Sequence, residues 1–200
     1  MQNTHYRPTN NNFGGTTMAT PKIVVPIADG SEEMEAVIII DILRRANFDV
    51  TCAAVSDSTT ITASRGVKIA ADCLWQEIDP TDFDAIILPG GMGGTEIMMQ
   101  NKSILQTLKE FNRNSKLVGA ICAGPLVLQA ADMLDKRTVT CHPGVATDLT
   151  DSPRSSQRVI KSGNLITSQG PGTAMEFALA IIEQLSDKAT AEKVRAGLVI

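Results

Sequence analysis

The 200-residue chain lacks several features that would place it in a broad class of protein. It has no apolar run of about 18 residues, so no segment is predicted to span a bilayer. It has no basic excess either, since the formal net charge is -4. That charge gives no reason to expect a specific nucleic acid or an anionic membrane as partner. The first 20 residues lack the apolar stretch of a secretory signal, and we therefore predict a cytoplasmic location.

Metal-binding patterns are also scarce. No two cysteines have C-x-x-C spacing, and only one of the two histidines, His142, lies outside the polar N-terminal segment. Without an export signal, the cysteines are expected to be free thiols in a reducing compartment. No metal site is therefore predicted. The cysteines are Cys52, Cys73, Cys122 and Cys141.

The chain is predicted to form a disordered N-terminal extension and one α/β domain. Residues 1–20 are polar and rich in Asn, Thr and Gly, whereas 21–200 contain apolar strands that alternate with helical stretches. KIVVPIA (22–28) and FDAIILP (83–89) are typical of buried strands. This alternation predicts a mostly parallel sheet with helices on both faces.

Local patterns predict several elements in more detail. Ser31 is expected to cap a helix that runs to about Asn47. The segment TVTC (138–141) is predicted to be a strand. Turn residues at Arg65-Gly66 and at 162–164 predict two hairpins.

Residues that can carry chemistry follow several predicted strands. They occur at Asp29–Glu35, Pro89–Gly94 and Cys122–Gly124, and His142 follows TVTC. In parallel α/β sheets, functional sites lie beyond the carboxyl ends of the strands. We therefore expect these segments to meet in one site.

Cys122 lies between a predicted strand and a predicted helix, with small residues around it. A helix N-terminus is expected to lower the thiol pKa, because its dipole stabilises the thiolate. The amide of Ala123 would then face a developing oxyanion. Alternatively, cysteine is a small hydrophobic residue that fills a crowded corner. The residues alone leave both interpretations open.

The neighbouring segments admit the same two kinds of interpretation. The amide of Gly91 would form a second wall facing the thiol, or its segment is simply a tight turn. Glu35 would have a raised pKa beside a thiolate and serve as general acid/base, or it is an ordinary residue of the first helical turn. His142, which precedes a proline, is either an assisting base or a structural loop residue.

Together these segments resemble the ThiJ/PfpI superfamily, and they are most similar to its branch of Parkinsonism-associated, DJ-1-like protein deglycases and their bacterial relatives. The resemblance extends from about Lys22 to Ile200. It rests on six motifs: ADGSEEMEA, SRGVKIAAD, FDAIILPGG, GAICAGP, VTCHP and TSQGPGTAMEFALAII. It implies a flavodoxin-like three-layer sandwich and a homodimer built partly on the first helix.

The resemblance also implies roles for individual residues. Cys122 matches the reactive, oxidation-sensitive cysteine, Glu35 the glutamate that hydrogen-bonds it, and His142 the nearby histidine. Arg65 matches an arginine near the dimer interface, whereas Gln169 stands where some members have arginine. The positions implied for oxyanion or substrate binding are Gly90, Gly91, Ala123 and Arg65.

The activity implied is that of a cofactor-independent glyoxalase or deglycase. It would convert methylglyoxal or glyoxal, or their early adducts on proteins and nucleotides, to lactate or glycolate. An alternative is an oxidative-stress sensor or chaperone in which Cys122 is oxidised to a sulfinate. A cysteine peptidase of the superfamily would carry histidine where this chain has Ala123. A glutamine amidotransferase would have glycine where this chain has Ala120.

Overall fold

The sheet of this protein is assembled from strands that are nearly all parallel. The structure is a computed structural model that describes residues 19–200. Seven strands form one sheet in the order β5-β2-β1-β6-β7-β9-β8, in which only β8 runs antiparallel to its neighbour. A separate two-stranded hairpin consists of β3 and β4. The strands are β1 (Lys22–Ile27), β2 (Asp49–Ala54), β3 (Thr60–Thr62), β4 (Lys68–Ala70), β5 (Cys73–Leu74), β6 (Ala85–Leu88), β7 (Leu117–Ile121), β8 (Val159–Ser162) and β9 (Leu165–Ser168).

Six α-helices cover the two faces of the sheet. Three of them pack on one face and three on the other, so that each face has its own apolar cluster. The helices are α1 (Glu33–Arg45), α2 (Met92–Gln100), α3 (Lys102–Arg113), α4 (Pro125–Ala130), α5 (Ala174–Leu185) and α6 (Lys188–Leu198).

The central strands show why the layers form. Successive side chains of β1 point to opposite faces, so Ile23 and Val25 pack with α1 and α5 whereas Val24 packs with α3 and α4. All three side chains are fully buried. A strand that is apolar on both faces requires helices on both faces, which confirms the predicted single-domain, three-layer sandwich.

Two local predictions were wrong and two were confirmed. Glu32, not Ser31, caps α1, because the Ser31 hydroxyl instead accepts a hydrogen bond from the amide of Ala28. TVTC is not a strand, and its only ladder contact in the described chain is an isolated bridge from Val139 to Arg154. Both predicted hairpins are present, as β3–β4 and β8–β9.

The described residues include no helix that is both long and apolar enough to cross a bilayer. The predicted N-terminal extension, residues 1–20, lies almost wholly outside the described part of the chain. Its predicted disorder therefore stays a prediction.

Candidate active site

Three neighbouring strands end at the same edge of the sheet and bring their following segments together. β1, β6 and β7 are adjacent and parallel, so the loops after them converge. The amide of Glu32 donates to the carbonyl of Gly90 at 2.9 Å, which ties the first loop to the second. The predicted convergence of strand-end segments is thus confirmed.

Cys122 is the first residue after β7, and its backbone is held in a left-handed conformation. Its φ is +64°, a value that is uncommon for a residue with a side chain. The Cys122 amide donates to the carbonyl of Ser168 at 3.0 Å, and its carbonyl accepts from the amide of His142 at 2.9 Å. These two bonds fix the turn, which presents the thiol at the end of the sheet in the manner of a nucleophile elbow.

Glu35 places a buried carboxyl next to that turn. The residue is fully buried, and its Oε2 accepts a hydrogen bond from the amide of Gly90 at 2.7 Å. Its Oε1 is buried as well and has no hydrogen-bond partner within residues 19–200. The Glu35 backbone amide donates to the Glu32 carboxylate at 2.7 Å, which fixes the first turn of α1.

Gly90 allows the thiol and the carboxyl to approach each other. A Cβ built on Gly90 would lie 2.5 Å from Cβ of Cys122 and 2.8 Å from Oε2 of Glu35. Real Cβ atoms do not come this close to other heavy atoms, so a larger residue would force the pair apart. Only glycine fits between the two groups.

The thiol and the carboxyl influence each other's ionisation. Burial raises the pKa of Glu35 to about 7, although the Gly90 amide and the Cys122 thiol oppose the rise by hydrogen bonding. Burial also raises the pKa of Cys122 to about 12, and the Glu35 carboxylate adds to the rise. The backbone amides of Gly91 and Ala123 lower the thiol pKa, but they do not reverse its direction.

The predicted direction of the Glu35 pKa shift is confirmed, but its chief cause is burial, since the hydrogen bond with Cys122 lowers this pKa. The predicted lowering of the Cys122 pKa was wrong. The helix beyond the turn, α4, has only six residues and begins at Pro125. Its dipole is too short to offset burial next to a second acid. The two groups therefore titrate as a coupled pair, and the pair loses its first proton near neutral pH.

Gly91 is held rigidly beside the thiol. Its φ is +85°, and a Cβ at this position would lie 2.2 Å from the carbonyl oxygen of Gly30. The backbone of the preceding loop therefore packs directly against it. This contact holds the Gly91 amide towards the sulfur of Cys122, opposite the amide of Ala123.

His142 lies on an exposed loop next to the same cavity as Cys122. Its Nδ1 accepts a hydrogen bond from the amide of Gly144 at 3.0 Å, so the proton of the neutral imidazole is on Nε2. Within residues 19–200 its ring makes no hydrogen bond to Cys122 or Glu35. Its position is compatible with contact to a bound substrate.

Arg65 reaches the cavity from the β3–β4 hairpin. The Arg65 amide donates to the Glu33 carboxylate at 2.8 Å, and the Ser64 hydroxyl donates to the same carboxylate at 2.7 Å. The Arg65 guanidinium donates to the carbonyl of Ser64 at 3.3 Å and is otherwise exposed. Glu33 thus attaches the hairpin to the start of α1.

The cavity formed by these segments has a volume of about 300 Å³. Cys122 lines it, together with four other predicted site residues: Arg65, Gly91, Ala123 and His142. Gly90 and Glu35 lie behind Cys122 and shape the site without lining the cavity. The structure thus assembles all seven predicted site residues around one thiol.

Three further residues of the site were not predicted from the sequence. Glu32 caps α1, Ser168 holds the Cys122 amide, and Gly170 lies against the His142 ring. A Cβ on Gly170 would be 3.3 Å from Cδ2 of His142 and 4.0 Å from Oε1 of Glu35. The sequence gives no clear signal for the first of these residues, because glutamate is not among the preferred capping residues.

The fold and this site define a class: flavodoxin-like α/β proteins with a cysteine on a strained turn after a central parallel strand, paired with a buried glutamate. The sequence model of the DJ-1/PfpI family matches residues 21–184. The chain belongs to the DJ-1/PfpI family.

Individual relatives agree with this assignment. Protein DJ-1 homolog B of Arabidopsis thaliana is 48% identical over 166 residues, which cover 82% of this chain and 38% of that protein. The glutathione-independent glyoxalase DJR-1.2 of Caenorhabditis elegans is 37% identical over 165 residues, which cover 82% of this chain and 87% of that protein. The solved structure of oxidized Toxoplasma gondii DJ-1 superposes with a TM-score of 0.86 at 39% identity, and the match covers 90% of this chain and 98% of that one.

The matched lengths differ among these relatives. The chain spans about two-fifths of the length of the Arabidopsis relatives, at 38% and 42% for homologs B and A. It covers most of the length of the nematode and Toxoplasma proteins. The family assignment therefore concerns the single α/β domain described here.

Proposed function

We propose that this protein is a cofactor-independent glyoxalase or deglycase. Cys122 attacks the aldehyde carbon of methylglyoxal or glyoxal. In their early adducts it displaces the side-chain nitrogen or sulfur from the carbon that was the aldehyde, and the side chain leaves with a proton. The observation that carries the proposal is the coupling of the Cys122 thiol to the buried Glu35 carboxyl, beside two backbone amides. A relative bearing the name glutathione-independent glyoxalase supports the same chemistry.

The first step is addition of sulfur to the aldehyde. The carboxylate of Glu35 accepts the thiol proton as the S–C bond forms, and the C=O electrons move to oxygen. The amides of Gly91 and Ala123, which face the sulfur, stabilise the oxyanion that develops next to it. Glu35 then passes that proton to the oxyanion, which completes a hemithioacetal and restores the Glu35 carboxylate.

The second stage moves a hydrogen between two carbons. Glu35 removes the C–H proton of the hemithioacetal to give an enediol and returns a proton to the adjacent carbon, which leaves a thioester of Cys122. His142, which lines the cavity and carries its proton on Nε2, assists transfer to and from oxygen. Water then cleaves the thioester, giving lactate from methylglyoxal or glycolate from glyoxal and restoring the thiol.

We further propose that the protein acts as a homodimer in the cytoplasm, with Arg65 close to the interface. Two apolar side chains on the outer face of α1 support this assembly, because Met34 and Val37 are each about half exposed, at 53% and 51%. An exposed apolar patch of this kind, next to the active site, is typical of a surface that is buried against a second copy of the chain. Analytical ultracentrifugation of the wild type and of Val37→Glu tests the assembly.

Lactate formation tests the activity. Wild-type protein is incubated with methylglyoxal in the absence of glutathione, next to Cys122→Ala and Glu35→Ala. Cys73→Ala is the matched control, since this partly exposed thiol lies outside the cavity. We expect lactate from the wild type and Cys73→Ala only; a wild-type rate equal to that of Cys122→Ala would refute the proposal.

A second candidate function is redox sensing through the same cysteine. The unpartnered Oε1 of Glu35 and the amides of Gly91 and Ala123 would all hydrogen-bond a sulfinate formed on Cys122. The Toxoplasma relative was solved in a form called oxidized. After mild peroxide, intact mass and peptide mapping should show two added oxygens on Cys122 first; equal oxidation of all four cysteines would contradict this function.

A further inference from the structure

A second cavity adjoins the one that contains Cys122. Its volume is about 260 Å³, and His142 and Pro171 line both cavities. Gly170, which lines the second cavity, has its Cβ position only 4.0 Å from Oε1 of Glu35. A ligand whose reactive carbon is at Cys122 therefore needs only a short extension past His142 to enter the second cavity.

Two polar side chains of the second cavity have unused hydrogen-bonding capacity. The Nε of Arg158 donates to Glu176 and one terminal nitrogen donates to the carbonyl of Gly172, whereas Nη1 has no partner within residues 19–200. The Nε2 of Gln169 donates to two backbone carbonyls, which fixes its amide orientation and leaves Oε1 without a partner in the same range. The cavity thus offers one fixed donor and one fixed acceptor.

The charge of the second cavity is balanced. The Arg158 guanidinium lies 2.9 Å from the Glu176 carboxylate, so an anionic ligand would meet a carboxylate next to its only cation. A ligand with one acceptor and one donor and no net charge uses both free groups without that repulsion. A peptide amide has this combination, with its C=O for Arg158 and its N–H for Gln169.

We propose that the second cavity is a subsite for a peptide amide, which binds the main chain next to a glycated side chain whose aldehyde-derived carbon lies at Cys122. This inference rests on the proposed role of Cys122 as the reacting thiol. It assigns the specificity for protein-bound adducts to Arg158 and Gln169, on the far side of His142. Free methylglyoxal is too short to reach both cavities.

Alkylation of Cys122 tests the subsite without requiring turnover. In this reaction the sulfur displaces iodide, and the thiol proton passes to the Glu35 carboxylate and from there to solvent. The probes are iodoacetyl-glycine methylamide, which carries a second, peptide-like amide beyond its iodoacetamide group, N-butyl-iodoacetamide, which has a similar length but lacks that second amide, and iodoacetamide itself. The second-order rate constant at Cys122 is followed by peptide mapping. We expect the peptide probe to react about tenfold faster than the butyl probe, since one hydrogen bond from the charged Arg158 and one neutral hydrogen bond to Gln169 contribute at least on that order.

Substitutions in the second cavity test which residues cause the faster reaction of the peptide probe. Arg158→Met and Gln169→Leu should each reduce the ratio of the two rate constants towards one while the rate with iodoacetamide stays at the wild-type value. Lys161→Met is the matched control, because Lys161 lies on β8, the strand that begins just after Arg158, and its surface ion pair with Glu183 is outside both cavities. It should keep the tenfold preference.

Three results would overturn the subsite. The first is equal reactivity of the peptide and butyl probes with the wild type. The second is a preference that persists in both Arg158→Met and Gln169→Leu. The third is a faster reaction of iodoacetyl-glycine, with its free carboxylate, than of its methylamide, which would assign the cavity to anions. Loss of lactate formation with an intact probe preference would refute the proposed activity alone.

Discussion

The buried carboxyl of Glu35 should make the stability of the protein depend on pH in a specific direction. Its pKa is raised from 4.5 in the unfolded chain to about 7 in the fold, chiefly by burial. Between these values the folded protein holds a proton that the unfolded chain has released. The stabilisation is therefore complete below the unfolded pKa and is lost as the pH rises through the folded pKa.

The size of the effect follows from the shift. One pKa unit corresponds to about 1.4 kcal/mol, so raising the pH from about 5 to about 8 should cost about 2 kcal/mol through Glu35. Cys122 does not contribute in this range, because its pKa rises from 9.0 to about 12 and it affects stability only at higher pH.

Glu35→Gln removes the titration and keeps an oxygen that can accept from the amide of Gly90. Urea unfolding of both proteins at about pH 5 and about pH 8 gives a difference in which the other titrating groups cancel. We expect the wild type to lose about 2 kcal/mol relative to Glu35→Gln on going to the higher pH. A relative stability that stays constant, or changes in the opposite direction, would show that Glu35 is not protonated in the fold near neutrality.

Two further substitutions test how the site is held together. Gly90→Ala places a methyl group 2.5 Å from Cβ of Cys122, so we expect at least about a tenfold loss of lactate formation and about 1–3 kcal/mol lower stability by urea unfolding. Gly197→Ala, where a Cβ meets nothing within 4 Å, is the control; it should leave lactate formation unchanged and should not lower stability, because alanine favours the helix α6 in which this residue lies. Glu33→Gln weakens the hydrogen bonds to the β3–β4 hairpin, including that from the Arg65 amide, and we expect trypsin to cleave after Arg65 faster than in the wild type. Equal cleavage rates would mean that the hairpin is held by its other contacts.

The sheet and the convergence of its loops could be predicted because they depend on local patterns. A strand such as β6, with four fully buried apolar residues, can only lie inside a parallel sheet that is covered on both faces. The carboxyl ends of such strands lie at one edge, so Glu35, Gly90 and Cys122 could be placed together from the order of elements alone. Residues that follow β1, β6 and β7 meet for the same reason.

Features that depend on packing between distant segments could not be predicted. Ser31 has the composition of a helix cap, but its hydroxyl bonds back to Ala28, and Glu32 caps α1 instead. TVTC has strand-forming residues, but Thr140 bonds through its side chain to Ser155 and through its amide to the Thr167 hydroxyl, so no ladder forms. The sequence does not show which distant hydroxyl or carbonyl group will form a hydrogen bond with a given backbone group in place of its neighbour in a helix or strand.

The direction of the Cys122 pKa shift could not be predicted from the local sequence either. A turn before a helix suggested a stabilised thiolate, but the sign of the shift is decided by burial and by the Glu35 carboxyl, which come from other parts of the chain. A raised thiol pKa does not make Cys122 inert. Once Glu35 has lost its proton, its carboxylate can accept the thiol proton while sulfur attacks, so reactivity follows the ionisation of Glu35.

This dependence leads to a final prediction about the alkylation of Cys122 by iodoacetamide. The rate constant of the wild type should rise through an inflection near the Glu35 pKa of about 7, well below the pKa of about 12 for the thiol itself. In Glu35→Gln the inflection near neutrality should disappear, because no carboxylate is available to accept the proton. The rate constants of both proteins are measured from about pH 5 to 9 by mass spectrometry of samples quenched at successive times. Identical profiles for the two proteins would mean that Cys122 ionises independently of Glu35, which would remove the basis for both the glyoxalase and the redox proposals.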